Sequence, residues 1–171
     1  MPAYHSSLES PTQLCKMALL PVNSKFKGPA PPGNGSPDII DETLQYFKAN
    51  VFFKNYEIKV KYNSCLQALH CFAFLAQIGS KEEAKKEMAT LAITNFDIPG
   101  DAKFPLNALY GKPKDRTEAD QTRMYFTQLR QELGQRILDK VYEPNTNKPS
   151  KWWMCFVKRR FMDKSLSGPG M

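Results

Sequence analysis

The chain predicts an all-α fold: a compact single-domain helical bundle carrying an extended Pro-rich N-terminal arm. Three observations lead there. Seven of the thirteen prolines fall in the first 37 of 171 residues, where they fix φ and remove amide donors. Beyond residue 37, apolar residues recur at steps of three and four behind helix-capping motifs. Only one run alternates with period two, and a lone strand has nothing to pair with. The expected division is therefore an arm over 1–37 and a helical body over 38–171, in one domain.

In the arm, the apolar islands around Met17 to Val22 and at Phe26 suggest a segment lying on a surface, with a turn near Gly33 to Ser36. Ser36-Pro37-Asp38 reads as a helix start: a capping hydroxyl, Pro at the first helical position, and acid near the positive end of the dipole. Ile40, Leu44, Phe47 and Val51 then form one apolar face. Tyr56, Ile58, Val60 and Tyr62 alternate with Glu57, Lys59 and Lys61, and read as an extended connector. Residues 64–78 carry no charge and read as a central buried helix ended by Gly79. Ser80-Lys81-Glu82-Glu83 has the form of a capping box for a helix to about Thr94. Residues 95–114, broken by Pro99-Gly100, Pro105 and Pro113, must be irregular. Asp115-Arg116-Thr117-Glu118 opens a helix whose Phe126, Leu129, Leu133, Ile137 and Val141 share a face, bounded by Pro144. Ser150 caps a last helix through about Phe161.

Composition narrows the function classes. A net charge of +7 favours acidic partners such as nucleic acid, anionic lipid or an acidic protein. Residues 62–80 lack Lys, Arg, Asp and Glu but include Asn63, Ser64, Gln67, His70 and Gln77. They are too polar for a span, which needs about 20 predominantly apolar residues. No basic-then-apolar leader opens the chain. Cys15, Cys65, Cys71 and Cys155 form no Cys-x-x-Cys pair and read as free thiols. Phosphate loops, nucleophile elbows and His-Glu-x-x-His are missing. His5 sits in the arm and His70 in the apolar helix. Neither catalysis, cofactor nor metal is expected.

The segment 148–164 concentrates charge: six basic residues against Asp163 give +5 of the chain's +7. It also holds both tryptophans. On a helix, Trp152, Trp153, Phe156, Val157 and Phe161 fall in one half, and Lys151, Lys158 and Arg159 in the other. Burying about 150–250 Å² of each tryptophan stabilises by at most about 4–6 kcal/mol, so Trp152, Trp153 and Phe156 read as structural anchors. Arg160 projects into the apolar arc and must snorkel out. The cations exceed what a helix C-terminus requires and suit a partner. A rival reading is a nucleic-acid binder that stacks bases on Trp152 and Trp153, with Lys158, Arg159 and Arg160 on the phosphates. A peripheral membrane protein would need an exposed amphipathic basic helix.

Long strings of this chain resemble a known family. They include Met1-Pro2-Ala3-Tyr4-His5-Ser6-Ser7, Met17-Ala18-Leu19-Leu20-Pro21, Phe26-Lys27-Gly28-Pro29-Ala30-Pro31 and Tyr46-Phe47-Lys48-Ala49-Asn50-Val51-Phe52-Phe53. Ile93-Thr94-Asn95-Phe96, Phe104-Pro105-Leu106-Asn107-Ala108 and the tail 148–170 continue the match, so it spans nearly the whole chain. The family is subunit 3, the small helical subunit of the actin-related protein 2/3 complex, which nucleates branched actin filaments. The chain departs at 60–85, where Val60-Lys61-Tyr62-Asn63-Ser64-Cys65 stands in place of an acidic helix start. The resemblance implies an all-α, non-catalytic scaffold in the cytoplasm and actin cytoskeleton, at cell projections and actin patches. Nucleotide would belong to the actin-related subunits. The implied partners are the other subunits, chiefly the larger actin-related protein, with the actin filament as a further candidate. No family motif fixes the contact residues. The charge pattern nominates Lys25, Phe26 and Lys27 of the arm and Lys158, Arg159 and Lys164 of the basic face.

Overall fold

A computed structural model describes residues 8–50, 78–104, 106–143, 147–151, 160–161 and 164–165; for 46–50, 160–161 and 164–165 it describes the backbone alone. Among these the elements run β1 (Gln13–Leu14), β2 (Met17–Ala18), α1 (Ile39–Asn50), α2 (Lys81–Ile93), α3 (Arg116–Val141), β3 (Arg160–Phe161) and β4 (Lys164–Ser165). The fold is mostly helical. It is not purely all-α, because β1 pairs with β2 and β3 with β4, each antiparallel.

The α3 helix is the spine. Asp115 takes the N-cap position, and its carboxylate accepts the Glu118 N–H at 2.7 Å, which satisfies one of the donors a helix start leaves open. Its 26 residues span about 39 Å. Phe126, Leu129, Leu133, Ile137 and Val141 are all buried, as their spacing predicts. The chain leaves α3 at Tyr142, whose hydroxyl donates to the Ile78 carbonyl at 2.9 Å. It then turns back so that the Ser150 N–H reaches the Val141 carbonyl at 2.8 Å.

Against this spine α2 lies antiparallel, with Ala84, Met88 and Ala92 buried at four-residue steps. A Lys81–Asp139 ion pair of 3.1 Å marks one end. The Arg130 guanidinium marks the other, 4.6 Å from the Phe96 ring centroid. Midway, a side chain on Gly134 would stand 3.3 Å from the Met88 methyl, so the missing Cβ sets the approach of the two helices. The expected capping box at Ser80 is not formed: Ser80 is the N-cap, but its side chain makes no cap hydrogen bond.

Two expected helix ends move. Asp38, not Ser36, caps α1: its Oδ1 accepts the Ile40 and Asp41 N–H groups at 3.0 and 3.1 Å. Ser36 instead donates its hydroxyl to the Asn34 side chain. The last helix cannot run through Phe161, because Arg160 and Phe161 are paired in β3 with Ser165 and Lys164. Ile40 and Leu44 are buried as predicted. The expected connector 56–62, residues 64–77 of the central helix expected over 64–78, Phe47's side chain and Val51 fall outside the described residues; Ile78, which is described, is not helical.

The arm does not run simply extended. Cys15 and Lys16, at φ 52° and 61°, make a two-residue turn that folds β2 back on β1. Left-handed backbone costs L-residues about 1–2 kcal/mol each, and such hairpin turns ordinarily use Asn-Gly. Farther on, Val22 bridges Pro32, and the Asn23 side chain holds the Gly35 N–H and the Ser36 carbonyl at 3.2 and 2.7 Å. No described helix is long and apolar enough to cross a membrane.

Candidate partner interface

Prolines deprive the arm of the amides a strand needs, so its remaining polar backbone groups must find partners elsewhere. The α3 helix supplies them with side chains. Glu118 accepts the Cys15 N–H at 2.9 Å with one oxygen and the Lys114 N–H at 2.6 Å with the other. Next along the helix, the Tyr125 hydroxyl accepts the Leu20 N–H at 3.1 Å. Gln128 donates to the Phe26 carbonyl at 3.0 Å and accepts the Ala30 N–H at 3.1 Å. Arg136 donates to the Asn23 carbonyl at 2.8 Å. Gly28 sits inside the Gln128 clamp: a Cβ there would stand 2.1 Å from the amide oxygen.

Arg136 is the hub. Its Nη1 and Nη2 each meet an Asp38 oxygen at 2.7 Å, its Nε meets Glu132 at 2.7 Å, and Asp41 lies 3.0 Å from Nη1. With Asn23, four guanidinium N–H hydrogen bonds are formed, and Asp41 adds a further ion pair. The fork matches a carboxylate at two points, which a lysine cannot do. Asp38 is only 2% exposed. Burial alone would raise its pKa, but the Arg136 guanidinium and the amides of Asn23 and Asp41 hold it below the usual carboxylate range. Burial likewise pushes the Tyr125 hydroxyl up to about 12, so it stays protonated.

Cys15 is locked at the same seam. Its thiol lies 3.4 Å from the Thr122 hydroxyl and is buried and free. Burial raises its pKa, the Thr122 hydrogen bond opposes that, and the Glu118 charge adds to it. Because the thiolate is the nucleophile, Cys15 is expected to resist iodoacetamide in the native chain at pH 7.5 and to react within the same time in urea. Peptide mass spectrometry reads the outcome, and rapid native alkylation would contradict this packing.

Of the nominated residues, Lys25, Phe26 and Lys27 are described. Lys25 and Lys27 are exposed and flank a half-buried Phe26, whose N–H is tied to the Ser24 hydroxyl at 3.0 Å and whose carbonyl is tied to Gln128. The two cations thus project from a braced turn. Lys164 has its backbone in β4. Lys158, Arg159, Trp152, Trp153 and Phe156 lie outside the described residues. Sequence reasoning missed Tyr125, Gln128 and Arg136. The one available signal was the four-residue Glu132–Arg136 spacing, which favours an ion pair on a helix.

Asp38, Glu118, Tyr125 and Arg136, whose ionisation the fold displaces, each make at least one hydrogen bond to the arm. The fold is thus a mostly helical body whose longest helix fastens residues 15–30 of the arm with its side chains. The chain belongs to the family described as P21-Arc, the ARP2/3 complex ARPC3 (21 kDa) subunit, whose model matches residues 1–166. Actin-related protein 2/3 complex subunit 3 of Schizosaccharomyces pombe is 45% identical, over 97% of this chain and 100% of that protein. The Saccharomyces cerevisiae subunit 3 is also 45% identical, with the same coverage. A probable subunit 3 of Caenorhabditis elegans is 41% identical over 100% of this chain and 99% of its own length. None of the three is named as a nucleic-acid binder.

Proposed function

We propose that this chain is a non-catalytic structural subunit of the actin-related protein 2/3 complex, packed against the larger actin-related protein and helping to hold it in the assembly that nucleates branched filaments. The observation carrying this reading is the family match over 1–166, reinforced by relatives covered end to end. The chain works as a single domain in the cytoplasmic actin cytoskeleton, at cell projections and actin patches, and contributes shape and positive charge. The braced Lys25-Phe26-Lys27 turn and the basic Lys158, Arg159 and Lys164 supply contacts, with Trp152, Trp153 and Phe156 as internal anchors. The existing filament is a further candidate partner.

Co-expression with the tagged larger actin-related protein and the remaining subunits tests this. Wild type is expected to co-purify at stoichiometric level and to support branching. Reversing Lys158, Arg159 and Lys164 to Glu is expected to weaken assembly most at low salt, since exposed charges are screened over about 10 Å at 0.1 M. The same treatment of Lys25 and Lys27 tests the arm separately. Unchanged assembly and branching across salt concentrations would remove that face from the interface.

A further inference from the structure

The segment 33–36, which carries the arm into α1, holds a reactive pair that occurs once in the chain. Asn34 is the one asparagine followed by glycine. A main-chain nitrogen can attack the side-chain carbonyl of the asparagine before it, and the Cβ of its own residue ordinarily crowds that approach. Glycine has no Cβ. Asn34, Gly35 and Ser36 are all exposed, and a side chain built on Gly35 would meet nothing within 4 Å. The approach is open.

Hydrogen bonds prepare both reacting groups. The Asn34 side-chain oxygen accepts the Ser36 N–H at 3.1 Å and the Ser36 hydroxyl. Two donors therefore converge on the oxygen that turns negative when the carbonyl is attacked, the arrangement that stabilises a tetrahedral intermediate. The attacking Gly35 N–H has one partner among the described residues, the Asn23 side chain at 3.2 Å, at the long end of the normal range. Opening that exposed contact frees the nitrogen.

We propose that Asn34 is a site of spontaneous deamidation, with water as the co-reactant, and that its isoaspartyl product releases this segment from Asn23. The Gly35 nitrogen loses its proton to solvent and bonds to the Asn34 Cγ. The Cγ–NH2 bond then breaks, and the departing nitrogen takes up a proton and leaves as ammonia. Water opens the resulting cyclic imide. Attack at Cγ gives aspartate; attack at the Asn34 main-chain carbonyl leaves Gly35 joined through the side chain, as isoaspartate. Both products gain a carboxylate, but only isoaspartate lengthens the main chain, by one methylene. That adds about 1.5 Å between two fastened points. The Val22 carbonyl holds the Gly33 N–H at 3.3 Å, and Asn23 holds the Gly35 N–H and Ser36 carbonyl at 3.2 and 2.7 Å. Asn23 cannot follow the displaced chain, because its own N–H is fixed to Asp38 at 2.7 Å. Its side-chain clasp therefore opens.

The test incubates the full chain at neutral pH and physiological temperature. Peptide mass spectrometry follows the mass gain of the NH2-to-OH exchange, and electron-based fragmentation tells isoaspartate from aspartate. Asn34 is expected to convert many-fold faster than exposed Asn95 and Asn147, which precede Phe96 and Lys148. Ser36→Ala removes one of the two donors and is expected to slow conversion several-fold. The purified isoaspartate form is expected to be cut by trypsin after Lys25 and Lys27 several-fold faster than wild type. Asn34→Asp has the new charge without the extra methylene, so it is expected to be cut at the wild-type rate. Conversion of Asn34 no faster than that of Asn95 and Asn147 overturns the proposal, as does a Ser36→Ala chain that converts as fast as wild type. So does an isoaspartate form cleaved no faster than Asn34→Asp.

Discussion

Arg136→Ala is expected to destabilise the chain by about 3–5 kcal/mol, because it strands a buried carboxylate without its counter-charge. For a protein of this size that lowers Tm by about 6–20 °C. The loss reaches further than one ion pair. Arg136 joins Asp38, Asp41, Glu132 and the Asn23 carbonyl, so it ties the arm, the start of α1 and the C-terminal part of α3 together. Arg136→Lys keeps the charge but not the fork, and its loss should be intermediate. Pairing Arg136→Met with Asp38→Asn should recover part of the deficit, since the stranded charge is then gone.

The pH dependence gives the same prediction a second readout with a definite sign. In wild type the Asp38 carboxyl is held below its ordinary value. Its stabilisation is therefore complete above the unfolded value of about 4 and is lost as pH falls through the folded value. In Arg136→Ala, burial without the guanidinium pushes that carboxyl up. The stranded charge then destabilises above about pH 4, and acid relieves it. Urea unfolding of both proteins should thus show a gap that is wide at pH 7 and narrows below about pH 4. A gap independent of pH would mean that Arg136 acts through packing alone.

Gly28→Ala is the second large effect, expected at about 2–4 kcal/mol from overpacking together with the loss of the Gln128 hydrogen bonds. The added methyl would meet not only the Gln128 amide oxygen at 2.1 Å but also its Cβ at 2.8 Å. A Cβ on a helix cannot swing aside as a side-chain end can, so the arm must lift. Trypsin cleavage after Lys25 and Lys27 should therefore accelerate more than the change in Tm alone implies. Gly79→Ala is the control: its Cβ would meet nothing within 4 Å and its φ is not left-handed, so it should stay within about 0.5 kcal/mol of wild type. Equal behaviour of the two variants would show that the clamp contributes little.

The α3 helix was legible because everything that defines it is local: a capping Asp115, apolar residues three and four apart, and an irregular loop before it. The α2 helix was legible for the same reason, although its capping side chain makes no bond. The start of α1 was misplaced by two residues. Ser36 satisfies the local pattern, but Asp38 is preferred because it also meets Arg136 from 98 positions away, and such a partner leaves no trace in a short window. The β3–β4 pair was invisible, since two-residue strands are too short to show a period. The arm's clamps were hidden for a subtler reason. Gln128 and Arg136 look like the polar face of an amphipathic helix, yet Gln128 is 5% exposed and faces the arm.

The order in which the polypeptide emerges from the ribosome follows from those clamps. The arm is made first, yet the groups that fasten it arrive 98 to 113 residues later. At about 5–20 residues per second, it waits roughly 5–20 s with its apolar islands uncovered. A nascent chain halted before α3 should therefore present a hydrophobic leader to chaperones, one that vanishes once translation passes Arg136.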